Sequence, residues 1–248
     1  MKDLRFLQKL FFLLTMGFAL YIMQACSDDE EDEPLNVGTL EEGYVPVTEY
    51  HEAVDLGLSV KWANCNVGAS LPEEYGEYYA WGEIEKKDTY SSDNYKWYNG
   101  SSSTVTKYCT NSKYGTVDNI TILAPEDDVA HVKWGGKWRI PTLKEFEELY
   151  NDCTWRWSSK NEIYGYTVTG PNGDSIFLPQ AGYIHGNPKY LESGGEFGYQ
   201  GDGGNYWTAT LAEEFCQNAN IFYFDRWGAK LFTSGGRSLG YTVRPVKD

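Results

Sequence analysis

Three histidines, at 51, 131 and 185, and five cysteines, at 26, 65, 109, 153 and 216, have the widest chemical range in this chain. Serine hydrolysis on a strand-to-helix elbow needs a GxSxG segment, and none occurs. A thiol nucleophile needs a base beside it. Cys65 with His131 is the one such pairing the sequence suggests, but His131 lies four residues before Gly135, a place where histidine more commonly faces a helix dipole. No two cysteines are spaced CxxC, so zinc and thioredoxin-type sites are not expected. The 36 Asp and Glu include carboxylates enough for glycoside hydrolysis, yet no two are marked by their surroundings. Glu126, Asp127 and Asp128 read as first-turn acids facing a helix dipole. Their oxygens also suit Ca²⁺, but the spaced Asp/Asn ladder of an EF-hand is missing. The expectation is a protein without catalytic residues or a resident metal or cofactor, with calcium as the alternative.

A binding role has better support. Residues 184–205 mix His185, Tyr190, Phe197, Tyr199 and Asp202 with seven glycines. Glycines permit unusual backbone angles, and aromatics in such a stretch must pack or bind. Aromatic faces with a few polar groups suit sugar rings or peptide side chains. The GDGG within this stretch is no dinucleotide fingerprint, because no GxGxxG follows a strand there. A second aromatic cluster, residues 95–99, invites the same two readings. Trp62, Trp81, Trp134, Trp138, Trp155 and Trp157 read as structural, and Arg139 and Arg244 as buried ion-pair partners that tie the termini.

Composition narrows the class. At 16% aromatic and 41% hydrophobic over 248 residues the chain is no disordered tail. A net charge of −15 repels phosphate backbones, so nucleic acid is not an expected partner. Lys2, Arg5 and Lys9 precede an apolar run over residues 10–23, a secretory-signal pattern shorter than a spanning helix. Ala25 and Cys26 end that run, and the acidic stretch 27–33 follows. This resembles a bacterial lipoprotein cleavage box, after which the cysteine is lipidated, followed by a surface-export signal of the Bacteroides type. The domain reading is a signal peptide over 1–25, an acidic lipidated tether over 26–50 and one domain over 51–248. Cys65, Cys109, Cys153 and Cys216 then remain in an oxidising setting, as two disulfides in any of three pairings or as buried free thiols.

Positioning elements follow from period and punctuation. Residues 53–63 read as a strand pair. Residues 86–121 are polar and aperiodic, a long ordered excursion. A helix is expected from Pro125 to Trp134, stopping at Gly135. A second begins at Thr142 with Glu145 three residues on, placing Leu143, Phe146, Leu149, Tyr150 and Cys153 on one face. Beyond it the pattern is of strands, with turn chemistry at 171–174 and a meander through 206–209, 221–224, 230–232 and 241–246. Helices followed by strands indicate an α+β domain.

Four segments, residues 55–83, 132–149, 170–183 and 238–246, resemble the major paralogous domain first named from Fibrobacter succinogenes and abundant in Bacteroides-type surface lipoproteins. The GGKWRIPT segment and the terminal GYTVRPV carry the likeness most specifically. The resemblance implies a C-type lectin-like fold, two helices packed on a twisted antiparallel sheet with a long loop presenting the ligand surface. It assigns no activity. The EPN or QPD tripeptides with which sugar-binding lectins hold calcium are missing here. The resulting expectation is an outer-membrane, cell-surface lipoprotein held by membrane lipid through Cys26, which recognises a glycan or a protein surface through 184–205. An adhesin-like envelope component, or a glycan-acting hydrolase, is the alternative.

Overall fold

Capping and turn residues decide where the regular elements begin. The computed structural model describes residues 51–187, 203–212, 214–228 and 230–248, so the expected leader, Cys26 and the acidic tether lie outside the described residues. Asp128 caps the first α-helix, α1 (Val129–Trp134), its carboxylate accepting from the Ala130 and His131 backbone amides. Pro125–Asp127 form a separate 3₁₀ turn ahead of it, so the expected single helix is two short pieces. Gly135 ends α1 at φ 67°, a conformation glycine adopts without strain. In α2 (Leu143–Asp152) Thr142 and Glu145 form the expected capping box. Phe146 and Leu149 are fully buried, while Tyr150 is half-exposed at the rim of the same face.

The regular structure is mostly β, three small antiparallel sheets with two α-helices among the described residues. One sheet joins β1 (Ala53–Val54), β2 (Lys61–Ala63) and β9 (Val246–Lys247) in the order β1-β2-β9. A second is the meander β3 (Thr154–Lys160), β4 (Ile163–Thr169) and β5 (Ser175–Pro179). The third is β6 (Gly204–Leu211), β7 (Asn218–Phe224) and β8 (Lys230–Gly236). The final segment thus departs from expectation. It does not continue the antiparallel meander: Thr242 bridges Tyr206 of β6 in parallel, and Val246 pairs with Trp62 of β2 and bridges to Arg139. Nothing in local periodicity encodes that partner.

Two cores result. Phe146 and Leu149 of α2 pack with Trp62, Tyr166, Val168, Leu178, Phe222 and Phe224, so the helix binds all three sheets together. The Phe146 and Phe222 rings stack with centroids 5.2 Å apart. The other core gathers Trp81, Trp207, Tyr108, Cys109, Cys216 and Tyr241 around the aperiodic excursion. That excursion is ordered, as expected, by bridges such as Tyr98 to Val105 and Val105 to Gly115. No helix among the described residues is long and apolar enough to cross a membrane.

Short sheets leave many backbone carbonyls to be satisfied, and a buried arginine serves several of them. Arg244 is wholly buried. Its Nη1 donates to the Ala63 and Asn64 carbonyls, both at 3.0 Å, and its Nη2 to the Phe177 carbonyl at 2.9 Å. Its Nε donates to Asn66 Oδ1 at 2.7 Å. The expected ion pair is not made; no described carboxylate reaches this guanidinium, and a carbonyl cage stands in its place. Arg139 does form ion pairs, reaching both Glu145 oxygens at 2.8 and 2.6 Å and Asp248 near the C-terminus at 3.1 Å, but they are part-exposed and not buried as expected.

Arg244→Met keeps the bulk but strands four acceptors, three buried and one part-buried, each unmade bond costing about 1–3 kcal/mol. We expect a loss of at least about 3 kcal/mol in urea unfolding. A variant within about 1 kcal/mol of the parent would show the cage to be dispensable.

Candidate functional site

The site grows out of one face of the β3–β5 meander. Cross-strand register places Trp155 opposite Val168 and Trp157 opposite Tyr166, with Tyr164 one diagonal step further along. Leu178 pairs with Tyr166 on the other side of β4. The Gln180 amide then donates to the Tyr164 carbonyl at 2.9 Å, which carries Gln180 onto the same face just past the end of β5. That face is buried at Val168 and Tyr166 and runs out into solvent at Tyr164, which is 52% exposed. Trp157 and Tyr164 lie nearly parallel, with centroids 6.2 Å apart and planes 6° apart.

The facing wall is the turn after β7. The Asp225 carboxylate accepts from the Trp227 amide at 2.9 Å, an Asx-type turn, and Gly228 completes it at φ 91°. This geometry holds Trp227 out at 79% exposure, the most exposed large hydrophobic side chain described. The Arg226 guanidinium lies over the Trp227 ring at 4.3 Å. The Tyr166 hydroxyl donates to the Asp225 carbonyl at 3.3 Å, fixing the turn to the meander. Between the two walls is a cleft of about 800 Å³ lined by Trp157, Tyr164, Gln180, Tyr223, Asp225, Arg226 and Trp227. Asp225 is the one carboxylate among these lining residues, so they hold no carboxylate pair of the kind glycoside hydrolysis uses.

The expected binding stretch begins and ends close to this cleft. The Gly182 amide donates to the Gly203 carbonyl at 2.7 Å, which brings the two ends of the stretch together. Gly203 packs so tightly that a β-carbon there would sit 3.0 Å from the Tyr223 ring. His185 is exposed on a segment pinned by Ile184–Gly240 and Gly186–Tyr90 backbone bonds, and it is not among the cleft-lining residues. Tyr190, Phe197, Tyr199 and Asp202 lie outside the described residues. Of the tryptophans read as structural, Trp62, Trp81 and Trp138 are buried, whereas Trp157 lines the cleft. The second aromatic cluster divides: Tyr95 is buried and donates to the Trp81 carbonyl at 2.6 Å, while Trp97 is half-buried. Trp227 went unnoticed in the sequence, although an aromatic between Asp225 and Gly228 at a hairpin turn is a readable sign of exposure.

The other chemical candidates are occupied by packing. Cys65 is buried and its thiol donates to the Ala69 carbonyl at 3.3 Å. The imidazole beside it belongs to His51, Nδ1 at 3.9 Å, not to His131, and that ring stacks on Trp134 at 3.4 Å. Asp128 is spent on the α1 cap and on the Ile140 amide at 2.8 Å. Asp127 accepts from Lys96 at 2.9 Å and from Lys107 and Tyr108 at 2.7 Å each. No group of three or more His, Cys, Asp or Glu side chains converges as a metal site among the described residues. No family model, curated protein or solved structure matches the chain.

Burial alone would raise the Asp127 pKa, but its bonds to Lys107, Lys96 and Tyr108 outweigh that and hold it below the ordinary carboxylate value. A depressed acid contributes stability that is present above its unfolded pKa and lost as pH falls through the folded one. Stability should therefore decline as pH drops below about 4. Asp127→Asn should lower stability at neutral pH and flatten that decline, read from urea midpoints between pH 2 and 7. An unchanged slope would assign the acid sensitivity elsewhere.

Proposed function

We propose that the chain is a non-catalytic carbohydrate-binding module that seats a glycan in the cleft between the β3–β5 meander and the Trp227 turn. The observation that carries this reading is the pairing of solvent-facing aromatic plates, half-buried at Trp157 and exposed at Tyr164 and Trp227, with a few polar groups. Trp157 and Tyr164 lie nearly parallel on one wall, and Trp227 stands on the other. The apolar C–H face of a pyranose ring stacks on such plates, while Gln180, Asp225 and Arg226 bring an amide, a carboxylate and a guanidinium within reach of its hydroxyls. The volume suits a short run of sugar units.

The export signals support a setting for this activity. In our reading residues 1–25 direct secretion, Cys26 becomes the lipidated first residue, and the acidic stretch lets the domain stand off the outer membrane on the cell surface. The likeness to the major paralogous domain favours the same location and a C-type lectin-like fold. The described helices, small sheets and long connections are compatible with that fold. Assembly with another envelope protein is a second reading, favoured by the exposed Val117, Ile120 and Ile122 at the end of the excursion and just past it.

Glycan-array screening of the whole chain, followed by titration of the best ligand, tests the proposal. Trp227→Ala removes an exposed ring and should weaken binding at least about tenfold, with a melting temperature within about 2 °C of the parent. Equal binding by that variant would remove the cleft from the reading. The anchoring expectation is checked separately by mass spectrometry of the mature chain, which should begin at a lipidated Cys26; an unmodified thiol there would overturn it.

A further inference from the structure

The seam between the aperiodic excursion and the β6–β7 turn carries a second pair of groups with chemistry of their own. All four described cysteines are thiols. Cys109 and Cys216 are both fully buried in one core, whereas Cys153 belongs to the other and Cys65 to neither. The Cys109 thiol donates to the Asn111 carbonyl at 3.2 Å, and Cys216 is near enough to help raise its pKa. The backbones on either side are locked to one another. Arg237 Nη1 donates both to the Tyr108 carbonyl, just before Cys109, at 3.2 Å and to the Cys216 carbonyl at 2.8 Å. Tyr98 donates to the Gln217 carbonyl at 2.9 Å, and Gln217 donates back to the Ser102 carbonyl at 2.7 Å. Asp118 accepts from the Tyr108 and Cys109 amides at 2.7 and 2.9 Å, which fixes the chain on the Cys109 side.

We propose that Cys109 and Cys216 form a disulfide when the chain folds in an oxidising compartment, stapling the excursion to the β6–β7 turn. The chemistry is thiol–disulfide exchange with a small or protein disulfide as oxidant. One thiol loses its proton, and its thiolate attacks the oxidant, forming a mixed disulfide and releasing one thiol. The second thiolate then displaces the remaining half, so two protons and two electrons leave the protein and the oxidant becomes two thiols. In the finished fold the Cys109 thiol is pushed up to about 11 by burial and by its neighbour Cys216, so little thiolate is present at neutral pH. Exchange therefore belongs to folding, before the seam closes over the pair. The bond would join residues far apart in sequence, where a crosslink restricts the unfolded chain most.

The test uses the whole chain, unfolded with all thiols reduced and refolded in a glutathione redox buffer. It is then alkylated under denaturing conditions and mapped by mass spectrometry without reduction. We expect one crosslinked peptide joining Cys109 to Cys216, with Cys26, Cys65 and Cys153 alkylated. Reductant should lower the melting temperature of this oxidised form by roughly 5–15 °C. Cys153→Ala should keep that difference and Cys216→Ala should lose it. Should Cys216→Ala fail to fold, the map of the unaltered chain decides. Five alkylated thiols, a crosslink involving Cys26, Cys65 or Cys153, or a melting temperature insensitive to reductant would overturn the assignment. The outcome is independent of whether the cleft binds a glycan.

Discussion

Two wholly buried guanidinium groups, Arg237 and Arg244, hold the irregular parts of this protein in place. A fold of three-stranded sheets and long connections leaves backbone carbonyls without strand partners, and each buried one must be satisfied. A planar group with five donors can serve several at once. Arg244 joins the β2 end, the turn after it and β5 through carbonyls of Ala63, Asn64 and Phe177. Arg237 joins Lys107, Tyr108 and Cys216 the same way, donates its Nε to Tyr95, and lies against the Trp81, Tyr95 and Tyr108 rings. Neither is paired with a described carboxylate. The positive charge is instead spread over carbonyl dipoles and aromatic faces, which makes each arginine a multi-strand fastener.

Two buried tryptophans act similarly, each with a single donor. Trp207 donates its indole N–H to the Tyr79 carbonyl at 2.7 Å, and Trp81 donates to the Thr208 carbonyl at 2.8 Å. Each of these two rings fills core volume while its one polar atom closes a backbone carbonyl, so Trp81 and Trp207 pack and fasten together. This is why a chain with so little helix and such short strands can still bury two extensive cores.

The cleft is a consequence of where that packing stops. Trp155, Trp157 and the tyrosines of β4 share one strand face, and the core covers only part of it. Its uncovered end keeps the flatness of a sheet, and the Asp225 turn supplies an opposite wall.

Short-range signals in the sequence located the elements well. Thr142 with Glu145 marked the start of α2, Gly135 marked the end of α1, and the 171–174 turn marked the β4–β5 hairpin, because caps and turns depend on residues only a few positions apart. The single helix expected from Pro125 proved to be a 3₁₀ turn and a capped α1, since Asp128 at the cap could serve only the second piece. Longer-range outcomes were invisible to period and spacing. Whether Arg244 met a carboxylate or a ring of carbonyls, whether Trp157 was covered, and which partner residues 241–246 chose all depended on segments tens to hundreds of residues away. Local chemistry therefore determined which residues turn, cap and alternate, while the assembled fold decided which faces were left open, because burial is a property of neighbours that the linear chain does not name.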